Sequence, residues 1–114
     1  MAIARKAFVW GLFAAGGTFV AMLFPVLILV FVLVSAGMAP DGLEYMQLKS
    51  ALGQWPISLA LFVVLVCAAW HAAHRLRIVM HDLGIRSDKR IATVVYLLAG
   101  LYSVLTVGVL CQIL

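Results

Sequence analysis

Uncharged, mainly apolar residues run without interruption from Ala7 to Ala36, from Pro56 to about Ala73, and from Ile91 to Leu114. Each run reaches or approaches the roughly 20 residues that a helix needs to cross a hydrocarbon core. Polar residues gather in short clusters around them: Arg5 and Lys6, then Asp41, Glu44 and Lys49, then the basic stretch from Arg75 to Arg90. The runs are rich in Val, Leu and Ala and lack the two-residue alternation of polar and apolar positions that a membrane β-barrel requires. The pattern predicts an all-α membrane protein with three transmembrane helices, at about residues 7–36, 56–80 and 88–113, forming a single membrane domain over 1–114.

Punctuation inside this pattern refines the helices. The first run is too long for an upright crossing, so it must tilt, bend or protrude. Pro25 near its middle removes one backbone hydrogen bond and is the expected place for a kink. Gly11, Ala15, Gly16, Gly17 and Ala21 set small residues at close spacings on this helix, which would let a neighbouring helix approach. Between the first two spans, Leu43 to Leu48 has the alternation of a short interfacial helix. Trp55 and Pro56 mark the entry to the second span, the indole at headgroup depth and the proline in the first turn. Gly84 breaks the chain before the third span, where Ser87 or Asp88 can serve as N-cap.

Composition closes off the soluble alternatives. Hydrophobic residues make up 67% of the 114 and charged residues 11%, with a mean hydropathy of +1.21, whereas a soluble domain carries about 25% charged residues. Four acidic and eight basic side chains cannot give such a chain a polar exterior. The net charge of +4 does not point to nucleic acid, because the basic residues flank apolar runs and form no stripe interleaved with aromatics. They read as topology signals instead. Arg5 and Lys6 precede the first span, only Lys49 lies in the first loop, and Arg75, Arg77, Arg86, Lys89 and Arg90 crowd the second. The N-terminus and second loop are therefore expected on the cytoplasmic side, with the first loop and C-terminus opposite. The opening resembles a secretory signal peptide, but the uncharged run that follows is far longer than an h-region of about 7–15 residues, so it should span and stay. Cys67 and Cys111 sit inside apolar segments, where a thiol acts as a small hydrophobe.

This topology brings two distant groups to one membrane depth: Trp10-Gly11-Leu12-Phe13 at the start of the first span, and His71, His74, Arg75, Arg77, His81 and Asp82 at the end of the second. A quinone needs an apolar slot for its ring and tail, donors at its carbonyl oxygens and a proton route to water. An indole N–H, an imidazole and a guanidinium could supply the donors. The alternative reading treats the same residues as an aromatic belt and headgroup contacts. His71, His74 and His81 share a helix stripe, so His71 and His74 cannot take opposite axial positions on a haem, and the other two spans contain no histidine. No haem is expected from this chain alone, although ligation shared with another chain stays open. Asp82 is the only carboxylate near the histidines, which does not make a metal site. No nucleophile, base and orienter constellation is present, so the chain is not expected to be an enzyme by itself. A transporter is disfavoured because no charge lies at a helix centre.

Two elements carry a family resemblance: Phe8-Val9-Trp10-Gly11-Leu12-Phe13-Ala14-Ala15-Gly16-Gly17, followed by Pro25, and His74-Arg75-Leu76-Arg77-Ile78-Val79-Met80-His81-Asp82-Leu83. In order and spacing they resemble the D subunit of bacterial fumarate reductase, over nearly the whole chain. The resemblance implies a hydrophobic membrane anchor in a four-subunit quinol:fumarate reductase of the bacterial inner membrane, used in anaerobic respiration. In such a complex a flavoprotein and an iron–sulfur protein sit on two anchors, the other being the C subunit. Menaquinol is oxidised near the cytoplasmic face, and the anchor pair carries no haem. Carried over by position, the quinone-binding residues would be Trp10, Phe13, Ala14, His74 and Arg75, in a pocket shared with the second anchor and the iron–sulfur protein. Two departures from the family example that the chain resembles stand out: Ala14 stands where that example has glycine, and Arg77 where it has histidine. The polar stretch ahead of the first helix is also shorter. A structural or assembly component of a succinate dehydrogenase-like complex, with no quinone site of its own, is the alternative.

Overall fold

Four helices follow in chain order, α1 (Ala2–Ser35), α2 (Tyr45–Leu52), α3 (Trp55–Asp82) and α4 (Asp88–Ile113). The computed structural model describes residues 2–114, without the side chains of Ala2, Ile3, Arg5, Val9 and Leu12. The N-terminal basic signal at Arg5 thus falls outside the described side chains. α1, α3 and α4 are each long and apolar enough to cross a membrane, and no strand occurs among the described residues. The fold class is all-α with three transmembrane helices.

Local chemistry sets the helix ends. α1 stops where Gly37 adopts a left-handed φ of +73°. Its N–H donates to the Val34 carbonyl and that of Met38 to the Leu33 carbonyl, the paired bonds that close a helix C-terminus around a glycine. α3 ends the same way at Gly84, φ +86°, with Gly84 N–H bonded to His81 and Ile85 N–H to Met80. Pro56 lies in the first turn of α3, where a missing N–H costs nothing. Pro25 lies inside α1, and the helix runs on through it. Ser87 is the N-cap of α4, without a side-chain capping bond.

α3 is the middle member of the bundle. α1 packs on one side of it and α4 on the other, both antiparallel to it, and the described parts of α1 and α4 do not approach each other. On the α1 side, a Cβ added to Gly16 would come within 3.0 Å of the Cys67 carbonyl oxygen. One added to Gly17 would come within 2.7 Å of the His71 ring. The glycine pair is therefore an intramolecular contact face, whereas Gly11 has open space beside it. On the α4 side, Ala73, Val95 and Ala99 form the buried core, with Ile91 and Tyr96 packed against it. α2 crosses the far end, against the start of α3 and the end of α4, where the Ser58 hydroxyl donates to the Leu52 carbonyl. Large apolar side chains such as Phe31, Leu97 and Val104 remain exposed on the outside, as positions facing lipid or another chain do.

Candidate functional site

Because α1 and α4 sit on opposite sides of α3 without meeting, two grooves are left along it. At about 100° per residue, positions 66, 67, 70, 71 and 74 occupy one half of α3, and positions 65, 68, 69 and 72 the other. The first half faces a cavity of about 470 Å³. Trp10 and Phe13 of α1 wall it on one side and Tyr96 of α4 on the other, with Cys67, Trp70, His71 and His74 along its floor. It lies near the end of the bundle where α1 begins, α3 ends and α4 begins, beside the basic second loop. A smaller cavity of about 360 Å³ occupies the opposite groove, among Val20, Phe24, Ala68, Ala72 and Tyr102, with His71 at the boundary lining both. It is almost wholly apolar in its lining.

Inside the larger cavity the aromatic rings make one connected cluster. Phe13 stacks on His71 with ring centroids 4.5 Å apart and meets His74 edge-on at 4.7 Å. Trp10 stands edge-on to Phe13 at 5.7 Å and to His74 at 6.2 Å. Trp70 stacks on Tyr96 at 5.8 Å and donates its indole N–H to the Ser103 hydroxyl, 3.2 Å away. The two histidines, though three residues apart on one helix, serve different neighbours. His71 Nδ1 lies 3.2 Å from the Phe13 carbonyl oxygen, against α1, whereas His74 Nδ1 lies 2.9 Å from the Tyr96 hydroxyl, against α4. Their Nε2 atoms have no hydrogen-bond partner among the described residues. Such a slot, mainly apolar with a few convergent polar atoms, is the form that sites for small planar ligands take. Among the described residues no three His, Cys, Asp or Glu side chains converge on a point.

A model of the fumarate reductase D-subunit family matches residues 2–111. The chain belongs to that family. It is 41% identical over 102 residues to the fumarate reductase D subunit of Aliivibrio fischeri, covering 86% of this chain and 83% of that one. It is similar also to those of Vibrio vulnificus, 37% identical over 100 residues (86% and 80% covered), and Mycobacterium tuberculosis, 38% over 98 residues (84% and 78%). The chain is thus a membrane-anchor subunit of the fumarate reductase type, with three helices able to span the bilayer.

Of the residues singled out by the family's two sequence elements, Trp10, Phe13 and His74 line the larger cavity. Ala14 and Arg75 do not: each follows a lining residue, is turned about 100° from it around the helix, and is exposed. His81 is likewise exposed, beyond the cavity. Arg77 pairs with Asp88 across the second loop, Nε to Oδ1 at 2.7 Å and Nη2 to Oδ2 at 2.5 Å. Tyr96, Trp70 and Cys67 line the cavity without having been marked by the sequence. Depth could have found Tyr96. It lies eight residues after Asp88, the start of α4, and His74 lies eight before Asp82, the end of α3, so antiparallel packing sets the two at one level.

Proposed function

We propose that this chain is the hydrophobic anchor through which the flavoprotein and iron–sulfur subunits of a quinol:fumarate reductase, together with the C subunit as second anchor, are held at the bacterial inner membrane, and that it contributes to the menaquinol site. The N-terminus and second loop would lie on the cytoplasmic side and the C-terminus in the periplasm. One observation carries the quinol reading: the aromatic cavity of about 470 Å³ that contains Trp10, Phe13 and His74 opens near the end bearing the basic loop. A quinol's flat ring fits between aromatic walls, and imidazole and indole N–H groups offer hydrogen bonds to its ring oxygens. Ala14 and Arg75, exposed beside the cavity, would be covered when the other subunits complete it. Menaquinone enters this scheme as substrate. The chain would supply binding, orientation and exclusion of water, while electrons pass to the iron–sulfur protein; no haem is required of it.

The test replaces Trp10, His74 or Arg75 by alanine in the whole complex. Quinol-driven fumarate reduction is expected to fall at least about tenfold in the first two, the scale of one lost hydrogen bond or aromatic contact. Fumarate reduction by a small water-soluble reductant, which bypasses the membrane site, should remain. Wild-type quinol turnover in the Trp10 and His74 variants would reject the site and leave a purely structural anchor.

A further inference from the structure

The larger cavity is chemically graded along α3. At the end bearing the basic loop it holds the Trp10 indole, the His74 imidazole and the Tyr96 hydroxyl. Trp70 lies just over one helical turn, about 6 Å, farther along α3 than His74, and Val66 about 12 Å farther, which puts both near the middle of the span Trp55–Asp82. Among the described residues the lining there offers no free polar group. Val66 has none, Cys67 presents a soft thiol, and the one polar atom of Trp70 is already used. Its N–H donates to the Ser103 hydroxyl at 3.2 Å, and that hydroxyl donates in turn to the Ala99 carbonyl at 2.8 Å. Each direction is fixed, since an indole nitrogen only donates and a carbonyl oxygen only accepts. Ser103 stands on α4 outside the cavity lining, so the indole is pinned by its N–H and shows the cavity apolar ring surface. Its stack on Tyr96, with the planes 21° apart, holds it a second way.

We infer that Trp70 is a specificity-determining residue which, pinned by Ser103 and Tyr96, forms with Val66 and Cys67 an apolar subsite for the hydrocarbon side chain of a ligand whose planar ring lies beside Trp10 and His74. Such a ligand has one favourable sense of insertion, with its ring oxygens at the donors and its chain toward the middle of the bilayer, because the reverse leaves ring oxygens unpaired against hydrocarbon. In naming that ligand a naphthoquinol with an isoprenoid chain, the inference rests on the proposed quinol site. The bond to Ser103 bears on the choice as well: an indole N–H left free in the membrane interior would seek an acceptor, and the ring oxygen of a misplaced quinol is one. Trp70 meets the chain and not the reacting oxygens. Its effect is therefore read in the choice between quinols that carry a chain and quinols that lack one.

The experiment measures fumarate reduction by the intact complex with two donors, methylnaphthohydroquinone with and without a short isoprenoid chain, and reads the ratio of their kcat/KM values. Wild type and variants are compared in the same bilayers, so that partition of the donors into lipid cancels. Wild type should favour the chain-bearing donor. Trp70→Leu should lower that preference about tenfold, the scale of a lost apolar contact in a binding pocket, chiefly through the KM of the chain-bearing donor. Ser103→Ala keeps the ring but frees its N–H and should give a partial loss in the same direction; it serves where Trp70→Leu does not assemble. A wild-type complex that takes both donors equally, or variants in which both donors lose alike and the ratio holds, overturns the subsite. That result leaves the quinol site standing as long as the Trp10 and His74 variants are slow. Wild-type turnover of both donors in those variants removes the quinol reading itself, and the subsite with it.

Discussion

The two helix seams on either side of α3 are built by different means. Against α1 the contact is made by absence: Gly16 and Gly17 carry no side chains, so the α1 backbone comes to rest against the Cys67 carbonyl and the His71 ring. Against α4 it is made by presence: small residues at Ala73 and Ala99 set the distance, and three side-chain links span it, Trp70 to Ser103, His74 to Tyr96 and Arg77 to Asp88. In lipid, where apolar surface gains nothing by leaving one hydrocarbon for another, close packing and interhelical hydrogen bonds are the two available adhesives. This chain uses mainly one on each face. A seam built on glycine should be intolerant of volume, while a linked seam should lose stability in small steps.

The largest effect is expected from Gly17→Ala. The added methyl has to displace the His71 ring, which is held in its stack on Phe13, and overpacking of this kind costs about 1–3 kcal/mol. The unfolding midpoint of the purified complex should fall, and quinol oxidation should fall with it, because Phe13 and His71 wall the cavity. Gly16→Ala should follow closely, since its obstacle is backbone that cannot rotate away. Unchanged midpoints in both would show that this seam yields, and the contrast between the two faces would disappear. Trp70→Phe should cost less, roughly 0.6 kcal/mol, the mean worth of an interhelical hydrogen bond in a membrane. A double-mutant cycle with Ser103→Ala should recover that amount as coupling; zero coupling would remove this link from the seam. The smallest effect is expected from Gly100→Ala and Gly108→Ala, which meet open space in this chain and should change stability by less than about 0.5 kcal/mol. A larger loss in the assembled complex would sharpen the comparison, because it would place another protein of the complex against α4 through the same glycine packing that α1 uses.

Legibility in the sequence follows the same division. Gly16 and Gly17 are visible as a pair of small residues, and the intramolecular packing they allow is the one found, but Gly11, in the same stretch, takes no part. The short helix between the first two spans, expected over Leu43 to Leu48, lies at Tyr45–Leu52, because the turn at Gly42, φ +88°, and the extended Glu44 delay its start. Trp10, Phe13 and His74 can be brought together from topology alone. Tyr96 and Trp70 cannot be singled out that way, since an aromatic residue in an apolar run has the same hydropathy whether it meets lipid or a neighbouring helix. Of the two residues able to cap α4, Ser87 holds that place while Asp88 pairs with Arg77.

By itself the sequence determined that three helices are long and apolar enough to cross a membrane, that Gly84 breaks the chain after the second and which loop is basic. Those features depend on transfer free energy, backbone freedom and charge, and each is a property of a short stretch of chain. Only the tertiary structure decided that α3 stands between the other two, that an aromatic cavity opens along one side of it, and that His71 and His74 turn to different helices. The physical reason is that a helix in lipid is apolar all round. Hydrophobic periodicity then carries no record of which face is buried, and the choice is left to close packing and a few hydrogen bonds between residues distant in the chain.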